Sequence, residues 1–169
     1  FGYTVVTRPM RTFADGNGGV RKSCNMDAEI AVEAMLRSAD HDTVILGSGN
    51  GDFAPLMNKL RAAGKDVYIA SHARAMSGDM RAAVGSRRFI DLGAYHRAVR
   101  FRPDDPKASP QPAALRAAVN PELGNARASG QAALLIDSQY LSSSCHAEGW
   151  LVDICKFVRL AADRFGPMA

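Results

Sequence analysis

The stretch that most constrains the fold is TVILGSGNGDF, Thr43 to Phe53. Val44, Ile45 and Leu46 form a short apolar run, Gly47, Gly49 and Gly51 break it, and Asp52 stands where the helical pattern DFAPLMNKLRAAG begins. Apolar run, glycine turn and helix start describe a β-to-α crossing at the carboxyl edge of a parallel sheet, where open α/β folds place their chemistry. Two roles are open to Asp52: a helix cap, an ordinary task for aspartate, or a member of a catalytic edge. Pro55 fits either, since proline is tolerated in the first turn of a helix.

The flanking sequence repeats the alternation. GYTVVTR reads as an apolar strand ending at Arg8 and Pro9, and RTFADGNGGVRKSCN as a polar, glycine-rich loop. The helix MDAEIAVEAMLRSA carries an acid at its start, which suits the helix dipole, and sets Ile30, Ala34 and Met35 at helical spacing. After TVILGSG come a helix closed by Gly64, the strand DVYIASH, a helix at SGDMRAAVG and the strand RFIDLG. Strands alternating with helices predict a three-layer α/β/α domain around a central, mainly parallel, Rossmann-like sheet.

After Gly93 the texture changes. Residues 94–129 hold five of the eight prolines and almost no large apolar side chains, which predicts a linker with a short helix at PAALRAAVN. Beyond it, QAALLIDSQYL is a second buried strand carrying Asp137, and GWLVDICKFVRLAADRFG is an amphipathic helix with Leu151, Ile154, Phe157, Val158 and Leu160 placed to pack. The expected organisation is therefore 1–93, a linker over 94–129, and 130–169.

Charge and cysteine content narrow the function classes. The net charge is +4, yet residues 94–128 alone carry six basic against three acidic side chains, so the rest is nearly balanced and basicity supports a polyanion partner only weakly. Cys24, Cys145 and Cys155 lack CxxC spacing and a paired histidine pattern, which disfavours zinc and a disulfide framework and leaves buried thiols. No apolar run is long enough to span a bilayer, and no signal-peptide pattern opens the chain, so a cytoplasmic protein is expected.

The motifs KSCNMDAEIAVEAML, TVILGSGNGDFAPLMNKLRAAGKDVYIAS and RFIDLG resemble the later two-thirds of the NYN domain family, the LabA-like branch of the PIN-like nucleases. AALLIDSQYL with its following helix resembles the beginning of the same domain, here placed last. The order is rotated, as in a circular permutation joined through the proline-rich segment or as in the tail of one domain and the head of a second in tandem. One compact permuted domain is favoured, because termini often lie close together and exposed loops tolerate cutting. The family's second strand and its helix have no counterpart, which leaves a sheet edge suited to pairing in a homodimer.

In that family, an acidic cluster at the carboxyl edge holds one or two Mg2+ or Mn2+ ions that activate water against an RNA phosphodiester. The resemblance implies that Asp137 is the first-strand acid, Asp27 the acid opening the long helix and Asp52 the second acid of the glycine turn. Asn50 stands where the first acid of that turn is usual, and Ser138 and Tyr140 replace a glycine and an asparagine. The catalytic set is then Asp137, Asp27, Asp52 and Asn50, with RNA, single-stranded in the first instance, as substrate. The order of elements agrees and adds Asp91, at the end of the last strand, as a fourth metal ligand. Convergent carboxylates repel one another unless a cation sits among them, and oxygen ligands suit a hard divalent ion.

Each acid has a plainer alternative: a cap for Asp27 and Asp52, a solvated loop residue for Asp91. Glu33 turns well away from Asp27 on a helix. Substrate contacts are expected from Arg8, Arg21, Lys22 and Ser48, with Arg11 and Arg74 nearby, binding phosphates without reading bases. His72 ends a strand and is a candidate proton donor to a leaving group, although a lone histidine more often has no such role. An amide at position 50 brings no negative charge, so a weakened nuclease, an inactive RNA-binding module of the same fold and an engineered inactive variant all stay open. A nucleotide-binding reading of GSGNGDF is weaker, because the spacing is not GxGxxG.

Overall fold

A computed structural model describes Val6 and residues 11–14, 20–23, 25–102 and 132–166. The expected strand GYTVVTR, the short helix at PAALRAAVN, Arg8 and Cys24 lie outside the described residues, apart from Val6. Within the expected polar loop stand two strands instead, β1 (Arg11–Ala14) and β2 (Val20–Ser23), paired antiparallel with Phe13 opposite Arg21. The physical reason is in the sequence: Asp15 to Gly19, DGNGG, is hairpin-turn chemistry between residues that include Thr12, Phe13 and Val20.

Helix α1 (Asp27–Arg37) leads to β3 (Thr43–Gly47); a 3-10 turn at Gly51–Phe53 then opens α2 (Ala54–Ala62). The chain continues through β4 (Asp66–Ser71), α3 (Gly78–Val84), β5 (Phe89–Asp91) and the short α4 (His96–Val99). It closes with β6 (Ala132–Ile136), α5 (Ser138–Ala147) and α6 (Ile154–Phe165). Among the described residues the main sheet is four-stranded in the order β5-β4-β3-β6, and these pairings are all parallel.

Alternation along the two central strands builds two cores, one on each face. Val44, Leu46, Val67 and Ile69 pack against Phe53, Met57 and Leu60 at α2 and Met80 of α3. Ile45 and Ala70 face the other way, onto Leu141 of α5 and Phe157 of α6. Both faces are thus covered by helices, as a parallel sheet requires. Ile45, Met57 and Leu60 are 0% exposed, and burial of each such side chain contributes about 1.5–3 kcal/mol. Truncating Leu60 to alanine removes that burial and leaves a cavity, at a cost of about 2–5 kcal/mol.

Several expectations need correction. Residues 94–102 belong to the packed body and not to a linker: Val99 is fully buried, Arg100 bridges Val152, and Val99 O accepts from the amide of Asp153, the buried cap of α6. The segment SQYL does not continue a strand but opens α5, whose Leu141 and Cys145 are buried. Leu151 precedes α6 and is 47% exposed. On α1, Ala34 is buried as expected, whereas Met35 is 48% exposed. Cys145 and Cys155 are both buried, and no disulfide joins them.

Candidate active site

The register fixes what meets at the carboxyl edge. Gly47 pairs with Ile136, so the next residues, Ser48 and Asp137, emerge side by side from β3 and β6. Ser48 is fully buried, and its hydroxyl donates to Asp137 Oδ2 at 3.2 Å while accepting from the backbone N–H of Asn50. Asp137 Oδ1 accepts from the N–H of Tyr140 at 3.0 Å, which makes Asp137 the cap of α5. Expected as a substrate contact, Ser48 is therefore a buried bridge that fixes the Asp137 carboxylate.

Asn50 is tied in three ways. Beside the backbone bond to Ser48, its Oδ1 accepts from the N–H of Asp52 at 3.2 Å and its Nδ2 donates to Asp27 Oδ2 at 3.1 Å. Asn50, not Asp52, caps the 3-10 turn, and Asp52 itself is exposed. Asp27 is the first residue of α1, and Met26 at the cap position makes no side-chain capping bond. Burial pushes the Asp27 carboxyl above its ordinary range, and the nearby charges of Asp137 and Asp52 push the same way, against hydrogen bonds with Asn25 and Asn50.

Tyr140 extends the site toward β4. Its hydroxyl donates to Ala75 O, and a Cβ added at Gly49 would lie 3.1 Å from its ring, so this glycine lets the phenol cross the edge. Burial raises the Tyr140 pKa, and the Asp137 charge adds to the rise, so the phenol stays a donor.

Asp91 does not join the cluster. It ends β5, with β4 and β3 between it and Asp137, a separation of three strand spacings or about 14 Å. Its Oδ1 accepts from the amides of Ala73 at 3.1 Å and Gly93 at 2.9 Å, a turn-stabilising role. Glu33 is paired with Arg37 on the exposed part of α1. Arg21 and Lys22 lie in β2, whose last residue is four positions before Asp27. An acid not anticipated is Asp79, whose Oδ2 lies 3.8 Å from a Cβ added at Gly51. The signal for it was the cap motif Ser77-Gly78-Asp79, which starts α3 and brings that helix end to the glycine turn.

Asp27 thus feels the charges of Asp137 and Asp52, and a Ser48–Asn50 bridge ties it to Asp137. Among the described residues, no three His, Cys, Asp or Glu side chains converge as a ready-made metal cluster, and no ion pair engages these three acids.

The NYN domain family model matches residues 1–93, more than half of the chain. The chain belongs to the NYN domain family. Over 93 residues, or 54% of its length, this NYN chain is 32% identical to "Low amplitude and bright protein LabA" of Synechococcus elongatus, 49% of which is covered. It therefore spans about half the length of that relative. No solved structure gives a significant match. Asp27, Asn50 and Asp52 lie inside the NYN match, whereas Asp137 lies outside it and follows β6, the strand that pairs with β3. No helix among the described residues is long and apolar enough to cross a membrane.

Proposed function

We propose that this NYN chain is a metal-dependent ribonuclease hydrolysing phosphodiester bonds of single-stranded RNA at Asp27, Asp52 and Asp137. The observation that carries the reading is the hydrogen-bonded chain Asp137–Ser48–Asn50–Asp27 at one sheet edge, with the Asp27 carboxyl raised by burial and by the charges of Asp137 and Asp52. Such an arrangement stabilises a bound cation, because a divalent ion relieves both repulsion and lost hydration. The donors are all oxygen, and Mg2+ or Mn2+ is commonly held by one or two carboxylates plus waters and substrate phosphate, so the absence of three converging acids does not conflict with the fit. Asp27, Asp52 and Asp137 would hold the ion. When bound, the ion lowers the pKa of its water and neutralises charge on the phosphate.

The chain's own residues supply orientation. Ser48 and the Tyr140 amide lock both oxygens of Asp137, and Asn50 locks one oxygen of Asp27. Asn50 is therefore a positioning residue, its own oxygen being taken by the amide of Asp52. Arg21 and Lys22, six and five residues before Asp27, are proposed phosphate contacts, with Arg8 farther upstream as a third. The placement of β6 in the sheet supports reading residues 130–169 as the first strand and helical part of a permuted NYN fold.

The same Asn50–Asp27 bond favours a second reading, an RNA-binding module with a lapsed site, because it puts an amide donor where a negative charge would strengthen metal binding. Manganese-dependent cleavage of a labelled single-stranded RNA, with Asp137→Asn and Asp52→Asn beside the parent, decides between them. Cleavage by the parent and loss in both variants supports the nuclease; salt-sensitive RNA retention without cleavage supports the binding module.

A further inference from the structure

The carboxyl edge has a second half, at the ends of β4 and β5, that the carboxylate site leaves unused. His72 follows β4, its side chain 12% exposed, with Nδ1 4.0 Å from Glu148 Oε1 and accepting from the Arg74 amide. Glu148 Oε2 also holds Arg74 Nη1 at 3.1 Å, yet the Arg74 side chain is 79% exposed, so most of its donors face solvent. Trp150, partly exposed, meets His72 at 6.4 Å and 59° and His96 at 6.1 Å and 64°. At those angles neither imidazole stacks flat on the indole, and part of the ring reaches solvent. Helix α5 links the halves: Asp137 caps its start and Glu148 caps its end.

We propose that Trp150, His72, His96 and Arg74 form a nucleotide subsite that stacks one unpaired RNA base on the indole and binds an adjacent phosphate at Arg74. This rests on the ribonuclease reading, since His72 is two strand spacings, about 10 Å, from the strand of Asp137, placing the subsite along the same edge. An exposed guanidinium beside a half-open aromatic ring is the combination that single-stranded nucleic acids use, phosphate on the cation and base on the ring. The two imidazoles and the core beneath Trp150 hold the ring in place before a base arrives. Glu148 fixes the Arg74 head while leaving its other donors free to bond.

Trp150 is the single tryptophan of the chain, so its emission reports on this place alone. The full chain is titrated in EDTA with a 12-nucleotide single-stranded RNA and with a duplex of equal length, reading indole emission and, in parallel, anisotropy of labelled RNA. Saturable quenching by the single strand and weaker quenching by the duplex is the expected result. Trp150→Ala weakens binding about 5- to 150-fold, the range for loss of one base–aromatic stack. Trp150→Phe keeps the packing and loses less, which separates lost stacking from failed folding. Arg74→Ala, at an exposed position, lowers the salt slope by about one. Unchanged indole emission while anisotropy saturates overturns the proposal, as does an unaltered affinity in Trp150→Phe and Arg74→Ala together. Quenching without metal-dependent cleavage sinks the nuclease reading alone; cleavage with a silent indole sinks the subsite alone.

Discussion

Asn50 Nδ2 donates to Asp27 Oδ2 at 3.1 Å, so the residue that stands where an acid is usual holds a neighbouring acid by hydrogen bonding. Asn50→Asp converts that donor into a second carboxylate at the same distance. In EDTA the variant unfolds more readily, by about 1 kcal/mol, the cost of replacing a part-buried hydrogen bond with two facing carboxylates. Manganese then stabilises the variant more than the parent. Thermal melting with and without Mn2+ checks both effects, and equal metal-induced shifts in the two proteins would place position 50 outside the metal's reach.

Asp137 combines two tasks that substitution can separate. Asp137→Ala removes the cap of α5 and lowers stability by about 1 kcal/mol. Asp137→Asn retains an acceptor for the Tyr140 amide and stays near parental stability. On the proposed ribonuclease reading both variants lose RNA cleavage, so urea denaturation beside a cleavage assay distinguishes the structural task from the chemical one.

Gly49 and Gly78 respond to alanine in opposite directions. A Cβ at Gly49 would lie 2.5 Å from Ser71 Oγ, 3.0 Å from Met76 Cα and 3.1 Å from the Tyr140 ring. Backbone at that distance cannot swing away, and Gly49→Ala costs about 1–3 kcal/mol. Nothing lies within 4 Å of a Cβ at Gly78, the first residue of α3, and Gly78→Ala stabilises by about 0.4–1 kcal/mol. Chemical denaturation of the two variants reads the difference directly.

Cys145 makes stability depend on alkaline pH. Burial pushes its thiol up to about 11, the Glu148 charge adds to the rise, and a hydrogen bond with Ser144 opposes it. Above the ordinary thiol pKa of about 8.5, the folded chain holds this proton more tightly than the unfolded chain. The unfolded state then binds fewer protons, so this contribution is complete below that pH and declines as pH rises through about 11, by on the order of 2 kcal/mol. Comparing urea unfolding of the parent and Cys145→Ala between pH 8 and pH 10.5 isolates the slope, which the variant lacks.

The β3–turn–α2 crossing was legible because its signal is local: Val44 to Leu46 for the strand, Gly47 to Gly51 for the turn, and Pro55 in the first helical turn. The neighbouring exits of Ser48 and Asp137 followed from knowing that parallel strands end on one edge. Their roles did not follow. Capping was an alternative for Asp27 and Asp52, yet Asp137 is the acid that caps, because a cap depends on which side chain first reaches a free amide. Asn50 takes the amide of Asp52 two residues ahead of it. Strand order excluded Asp91 from the cluster, and no pattern within RFIDLG reveals that two strands intervene. Helix α5 was hidden because Ser138, Ser142, Ser143 and Ser144 are indifferent helix formers, and its place is set by packing of Leu141 and Cys145. Exposure of Val32, Met35 and Leu36 on α1 likewise depends on which neighbours the helix has.

The pairing of β6 with β3 has a consequence for synthesis. Asp137 follows Asp27 by 110 residues, and the strand beside it completes the sheet only after the rest of the edge has been made. A ribosome delivers the hairpin, α1, β3 and β4 first, and domains take shape as they emerge. Until β6 docks, Ser48 has no carboxylate to hold, and the edge carries two of its three acids. The Ser48–Asp137 bond therefore forms only once residue 137 has been made, however much of the earlier sheet has already folded.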